Sequence, residues 1–283
     1  MKLGITMEGG ASRTVFSCGV TDCFLEENIM PDYFIGVSAG IAFGMSYLSG
    51  QKGRNRILAE EYMSDKRYMG MKYLFDKGKK TFYNIPFVFG ELPNEILPFD
   101  FQAFKDYPGE VEAGVTNIHT GKAEYLTVPR DDDSFQAIVA SCALPVLFQP
   151  VKVGKHYYMD GALADSVPFL RAVEKGCDKN IVILTREKGY RKKPGHSLKM
   201  VSRIYQSYPN LVDALKHRAE NYNLCMRELW AREKAGEVFI IAPDSTLGVG
   251  RTESDPEKLH ALYEEGYYKA KESICALKKY LEK

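Results

Sequence analysis

Ser38 lies in Gly36-Val37-Ser38-Ala39-Gly40, a G-x-S-x-G. A nucleophile held between a strand and a helix needs a sharp turn that projects its hydroxyl. Glycines two residues before and two after remove the Cβ clashes of such a turn. The pentapeptide alone is a weak signal, and its flanks strengthen it: apolar Tyr33-Phe34-Ile35 precedes it and a helical pattern follows. The bland alternative is a packing turn whose serine only caps the helix. Gly9-Gly10-Ala11-Ser12-Arg13 marks an earlier strand-to-helix turn. Small residues there leave backbone N–H groups bare at a helix N-terminus, suited to an anion or a developing oxyanion. A nucleotide loop is the rival reading. It fails G-x-G-x-x-G, because Ala11 and Thr14 occupy the second and third glycine positions, and it lacks the lysine and hydroxyl of a P-loop. The third feature is Tyr158-Met159-Asp160-Gly161-Ala162. Read alone, Asp160 is a turn former; beside a serine elbow and an oxyanion loop it becomes a candidate base.

These residues need elements to hold them. Residues 2–7 read as a short buried strand, and Val15, Phe16, Val20, Cys23 and Phe24 carry a helical pattern to about Asn28. A second strand at 33–35 leads into a helix at 39–48, whose small residues Ala42, Gly44 and Ser46 permit close packing on a sheet. Strand, glycine turn and helix, repeated, predict an α/β fold. Two hairpins are expected, 110–118 with 122–128 around Thr120-Gly121, and 151–153 with 156–159 around Gly154-Lys155. A helix at 134–144 should stop before Pro145. Buried strands are expected at 180–185 and 238–242, with a long helix over 211–234 between them. The last helix has its own start signal in Asp255, Pro256 and Glu257. No repeat or linker interrupts the chain, so one domain over 1–283 is expected, with the motifs in about 3–194 and a helical continuation at 195–283.

Composition narrows the function classes. A chain of 283 residues buries enough surface to need no disulfide or metal staple. Lys+Arg total 38 against Asp+Glu 37, a formal net charge of +1, which argues against a nucleic-acid binder. No apolar run approaches the roughly 18 residues of a membrane span, and Glu8 arrives before a signal-peptide core could form. The six cysteines are far apart, with no C-x-x-C and no clustered histidines, so no metal or organic cofactor is expected and buried reduced thiols are the better reading. The cytoplasm is the expected compartment.

Taken in order, Glu8-Gly9-Gly10-Ala11-Ser12-Arg13, Gly36-Val37-Ser38-Ala39-Gly40 and Asp160-Gly161-Ala162 resemble the patatin-like phospholipase family. The stretches 19–25, 140–145 and 184–194 resemble its bacterial branch. The resemblance implies a three-layer α/β/α fold around a mostly parallel sheet, with Ser38 as nucleophile and Asp160 as its base. It also implies an oxyanion hole from the turn that holds Gly9, Gly10, Ala11 and Arg13, and Gly36, Gly40, Gly161 and Ala162 fill the remaining motif positions. The family loop usually reads G-G-G-x-R-G; here Ala11 replaces its third glycine and Thr14 its last, which reshapes the hole if the loop conformation requires glycine.

The expected activity is serine hydrolysis of lipid acyl esters, and the alternative is a catalytically silent lipid-binding or regulatory protein of the same fold. An ordinary triad would need His196, His217 or His260 as a third member. His196 falls in a loop; His217 and His260 fall on predicted helices, where a solvated or packed role is the default. The apolar segment 83–101 reads equally as plain core or as the wall of an acyl pocket. Arg186, Lys188, Arg191, Lys192 and Lys193 form a basic cluster, read either as a solvated loop or as a contact to anionic headgroups at a membrane surface.

Overall fold

The computed structural model describes residues 1–75, 81–131, 134–195 and 198–282. Its centre is a sheet of β1 (Leu3–Met7), β2 (Tyr33–Val37), β3 (Glu110–Asn117), β4 (Ala123–Thr127), β5 (Val151–Val153), β6 (His156–Asp160), β7 (Lys179–Ile183) and β8 (Phe239–Ile241). Strands run in the order β5-β6-β3-β2-β1-β7-β8, with β4 also paired to β3. The pairs β3–β2, β2–β1, β1–β7 and β7–β8 are parallel. Both expected hairpins are present as antiparallel pairs: β3 with β4, and β5 with β6.

Alternate residues of the parallel strands face opposite sides, and both sides are buried. On one face Ile5, Met7, Phe34, Ile181 and Ile183 share a core with α1 (Val15–Glu26), α2 (Ala39–Leu48) and the C-terminal helix Pro256–Glu282. On the other, Tyr33 and Ile35 meet Ala172 of the short helix Phe169–Glu174. Val182 and Leu184 meet Tyr222, Met226 and Leu229 of the long helix Pro209–Lys234. The result is three layers, helix, sheet and helix, as expected.

Helix α1 departs from the amphipathic stripe expected of it: every residue from Val15 to Phe24 is buried. The C-terminal helix lies directly on it, so close that a Cβ on Gly19 would stand 2.0 Å from Tyr263 O and one on Gly266 would stand 1.9 Å from Phe16 O. Asp255 caps that last helix as predicted, accepting from the Glu257 N–H at 3.0 Å. The helix expected over 134–144 is shorter, Gln136–Ser141, because the chain after it turns to lie against β6. All six cysteines are free; Cys18, Cys23 and Cys177 are buried, whereas Cys275 is exposed on the outer face of the last helix. Among the described residues no helix is long and apolar enough to cross a membrane.

Candidate active site

The turns after β1, β2 and β7 lie together at the carboxyl ends of parallel strands, where α/β sheets place their ligand crevices. Ser38 follows β2 directly and adopts φ 56°, ψ −130°, a conformation that costs a non-glycine residue on the order of 1–3 kcal/mol and concentrates at functional sites. The turn fits only because its neighbours lack side chains. A Cβ at Gly36 would lie 2.5 Å from Ile41 N, and one at Gly40 would lie 2.3 Å from Met7 O.

Asp160 reaches Ser38 through strand register. Val37 at the end of β2 stands opposite Gly114 of β3, and β3 runs on to Asn117 beyond it. The antiparallel β6 pairs with that overhang, Asn117 with Tyr158 and Val115 with Asp160. It therefore descends toward Ser38 and ends one β3 position away. Gly161, next along, packs so tightly on β3 that a Cβ would stand 2.3 Å from Gly114 O. The carboxyl of Asp160 is buried, accepts the Ala162 N–H at 2.8 Å and lines the same cavity as Ser38. Burial pushes this carboxyl above the ordinary carboxylate range, and the nearby Ser38 hydroxyl and the Ala162 N–H offset part of that shift.

A third segment fixes both partners. Ser141 accepts the Ser38 N–H at 2.8 Å and donates its own hydroxyl to Gly114 O at 2.6 Å. Two residues on, Ala143 O accepts the Asp160 N–H at 2.9 Å. The stretch 140–145, noted in the sequence only for its resemblance, thus holds serine and aspartate at once. Ser141→Ala leaves the buried Ser38 N–H without an acceptor and is expected to cost about 1–3 kcal/mol, read as a lower midpoint in urea unfolding at unchanged slope.

The turn after β1 presses on the same point. A Cβ on Gly9 would stand 2.3 Å from Val37 O and 2.7 Å from Ser38 Cβ, so glycine is required by contact with the elbow. The Arg13 N–H turns back to Gly10 O at 3.3 Å, and the Ser12 N–H goes to Arg251 O at 3.3 Å. Among the described residues no protein acceptor takes the N–H groups of Gly9, Gly10 and Ala11, which leaves these as the turn's open donors. Ala11 sits at φ 51°, the left-handed region that the third glycine of the family loop would occupy without strain. Thr14 is buried outside the site's cavities.

Ser38, Ala11 and Leu144 lie where two cavities meet. One is apolar, walled by Phe43, Val88, Phe89, Leu92, Phe99 and Phe135 among others. Part of the 83–101 segment, Tyr83, Val88, Phe89, Leu92, Pro93 and Phe99, is therefore pocket wall, and the segment also packs on the core. It is tied down by Arg54, which donates to Leu97 O at 2.8 Å and to Pro98 O at 3.2 Å. Cys142 belongs to this wall; burial pushes its thiol up, so it stays protonated. The other cavity is polar and takes in Glu8, Arg13, Asp160, Arg186, Lys192 and Arg218 among others. Glu8 is buried there, accepting from Thr185 N–H at 2.7 Å and Thr185 Oγ1 at 3.1 Å.

The basic cluster of the sequence divides. Arg186 and Lys192 enter the polar cavity, while Lys188 pairs with Glu233 at 3.6 Å and lies over the Trp230 ring. Arg191 and Lys193 are exposed. Among the described residues no histidine lines either cavity: His217 bonds Asp213 O on its own helix, and His260 bonds Glu60. His196 lies outside the described residues. Sequence reasoning missed Ser141, Arg218 and Arg251 as members of this site. Arg218 on a helix and Arg251 in a loop carry no local mark of it.

Over 201 residues the chain is 24% identical to "Uncharacterized protein YjjU" of Escherichia coli strain K12, a match covering 65% of this chain and 52% of that one; the chain thus spans about half the length of that relative. The crystal structure of VipD from Legionella pneumophila is similar with a TM-score of 0.48 at 13% identity, covering 97% of this chain and 66% of that one. Residues 208–282 match a domain of unknown function, DUF6363. Residues 5–173, which hold the Gly9–Arg13 turn, the Ser38 elbow and Asp160, match the patatin-like phospholipase family model, and the chain belongs to that family.

Proposed function

We propose that the protein is a serine hydrolase of lipid acyl esters that works through Ser38 and Asp160 as one unit of the whole chain, 1–283. The observation that carries this reading is a strained, elbow-held Ser38 at the junction of an apolar and a polar cavity, with the buried Asp160 in the polar one and near enough to be influenced by the Ser38 hydroxyl. Ser38 Oγ attacks the ester carbonyl carbon as Asp160 takes its proton. The carbonyl oxygen becomes an oxyanion facing the N–H groups of Gly10 and Ala11. Collapse of the intermediate breaks the ester C–O bond; Asp160 returns its proton to the leaving alcohol, and the acyl group stays on Ser38. Water then attacks, Asp160 again takes the proton, and the carboxylic acid departs as Ser38 recovers its hydrogen. The apolar cavity supports a long acyl chain.

A fluorophosphonate probe tests the reading directly. It should label one equivalent of Ser38 and block ester hydrolysis; a folded protein that takes up no label is the silent lipid-binding form instead. Ala11 gives a second handle. Ala11→Gly relieves the left-handed strain at an oxyanion donor, so it should change kcat more than KM, because the donor acts on the transition state. A single misaligned donor is worth on the order of 3 kcal/mol, well within reach of steady-state kinetics. An unchanged kcat would place the oxyanion elsewhere.

A further inference from the structure

The polar cavity beside Ser38 holds five cationic side chains, Arg13, Arg186, Lys192, Arg218 and Arg251, against two carboxylates, Glu8 and Asp160. Both carboxylates are otherwise engaged, Glu8 by Thr185 and Asp160 by Ala162. Among the described residues Arg13, Lys192, Arg218 and Arg251 take part in no ion pair, and Arg186 approaches only Glu187, at 3.9 Å. The Nε atoms of Arg13 and Arg186 are buried with no hydrogen-bond partner. Lys192 Nζ stands 3.7 Å from the Tyr222 ring centroid, and the Arg186 guanidinium stands 4.3 Å from that of Tyr190.

Five cations against two carboxylates leave an excess of positive charge, which destabilises a fold. Burial, and after it the guanidinium of Arg218, push Lys192 down to about 7. Burial and then Arg186 push Arg13 down to about 10. A bound anion would offset both effects. Its shape follows from the donors: guanidinium forks on several sides match the oxygens of a phosphomonoester dianion. A choline headgroup would bring a cation of its own into a cationic cavity.

Position decides which part of a substrate this is. An ester seated at Ser38 with its acyl chain in the apolar cavity directs its alcohol into the polar one. Apart from Leu144, the aliphatic side chains lining that cavity are the small Ala11 and Ala162, so a second acyl chain finds no wall there. The C-terminal region completes the cavity. Arg218 comes from the long helix and donates to Ala162 O at 2.7 Å. The Arg251 loop is fastened to the oxyanion turn, with Ser12 Oγ donating to Arg251 O at 3.0 Å and to Glu253 O at 2.7 Å.

We propose that the region matching the domain of unknown function completes the leaving-group site. In this role Arg218 and Arg251 select single-chain acyl esters of small phosphomonoesters, of the acyl glycerol phosphate class. The hydrolytic step rests on the reading above; binding of the phosphate does not.

Two measurements on the full chain separate these. The first compares kcat/KM for 1-oleoyl glycerol phosphate, 1-oleoyl glycerol and 1-oleoyl glycerophosphocholine. The phosphomonoester should lead by about tenfold or more, Arg251→Gln should cut that lead about tenfold, and Arg251→Lys should retain most of it. Arg251 is exposed, so its variants should fold. The second measures calorimetric binding of glycerol 3-phosphate and of inorganic phosphate to Ser38→Ala protein. Glycerol 3-phosphate should bind and phosphate should compete, both weakened by adding Arg251→Gln. Equal turnover of charged and uncharged esters overturns the proposal. So does phosphate binding without preference for the phosphorylated ester, which would mark a free-anion site. If glycerol 3-phosphate binds through Arg251 in a wild-type chain that hydrolyses no ester, the cavity assignment stands and the hydrolase reading fails.

Discussion

Ser38→Ala is expected to abolish hydrolysis of acyl esters, short and long, with a loss of about a thousandfold or more in kcat and no labelling by fluorophosphonate. The fold should survive. The Ser38 N–H keeps its acceptor in Ser141, alanine meets the same strain at φ 56° as serine does, and Asp160 retains the Ala162 N–H. A stability change within about 1 kcal/mol is therefore expected, read by urea unfolding beside the kinetics. Wild-type turnover in the alanine variant would remove the elbow from the chemistry altogether.

Asp160→Asn carries the second large effect. Asparagine keeps the shape but has no carboxylate to accept the Ser38 proton, and a general base is worth about 10²–10⁴-fold in rate. The pH profile adds an independent readout. Only ionised Asp160 can act as base, so kcat/KM must fall as pH drops through its pKa. Burial holds that pKa above the ordinary carboxylate value, so the acid limb should lie above the roughly 3.9 of a free aspartate. It should vanish in the residual activity of the asparagine variant. His217→Ala and His260→Ala should leave turnover intact, since neither ring lines the cavities at Ser38. His196→Ala tests the remaining candidate for a triad. Loss of activity there, with Ser38 still reactive toward the probe, would replace the pair by a triad.

The elbow was legible because its constraint is local. A serine at positive φ between a buried strand and a helix demands small residues at Gly36 and Gly40, and that demand is written within five positions. The Gly9–Arg13 turn is legible as a run of small residues at a strand end, although the contact that requires glycine at Gly9, against Val37 O, is long-range. Alternating apolar runs and glycine turns likewise announced a layered α/β sheet, since strand and helix periods are short-range properties.

What joins these parts is not local. Asp160 is brought toward Ser38 only because β3 overruns β2 by three residues and β6 pairs with the overhang, a register that no spacing in the chain encodes. Ser141 and Ala143 clasp both partners through backbone groups, which every residue carries and no side-chain pattern reveals. Helix α1 reads as one-sided, yet it is buried all round because the C-terminal helix closes over it through Gly19 and Gly266. Arg218 and Arg251 carry no mark in the sequence that sets them apart from other charges on a helix and a loop. Arg218, bonded to Ala162 O, and the Arg251 loop, fastened to Ser12, become walls of one cavity, because electrostatic fields add over distances in space, whereas the sequence records only distance along the chain.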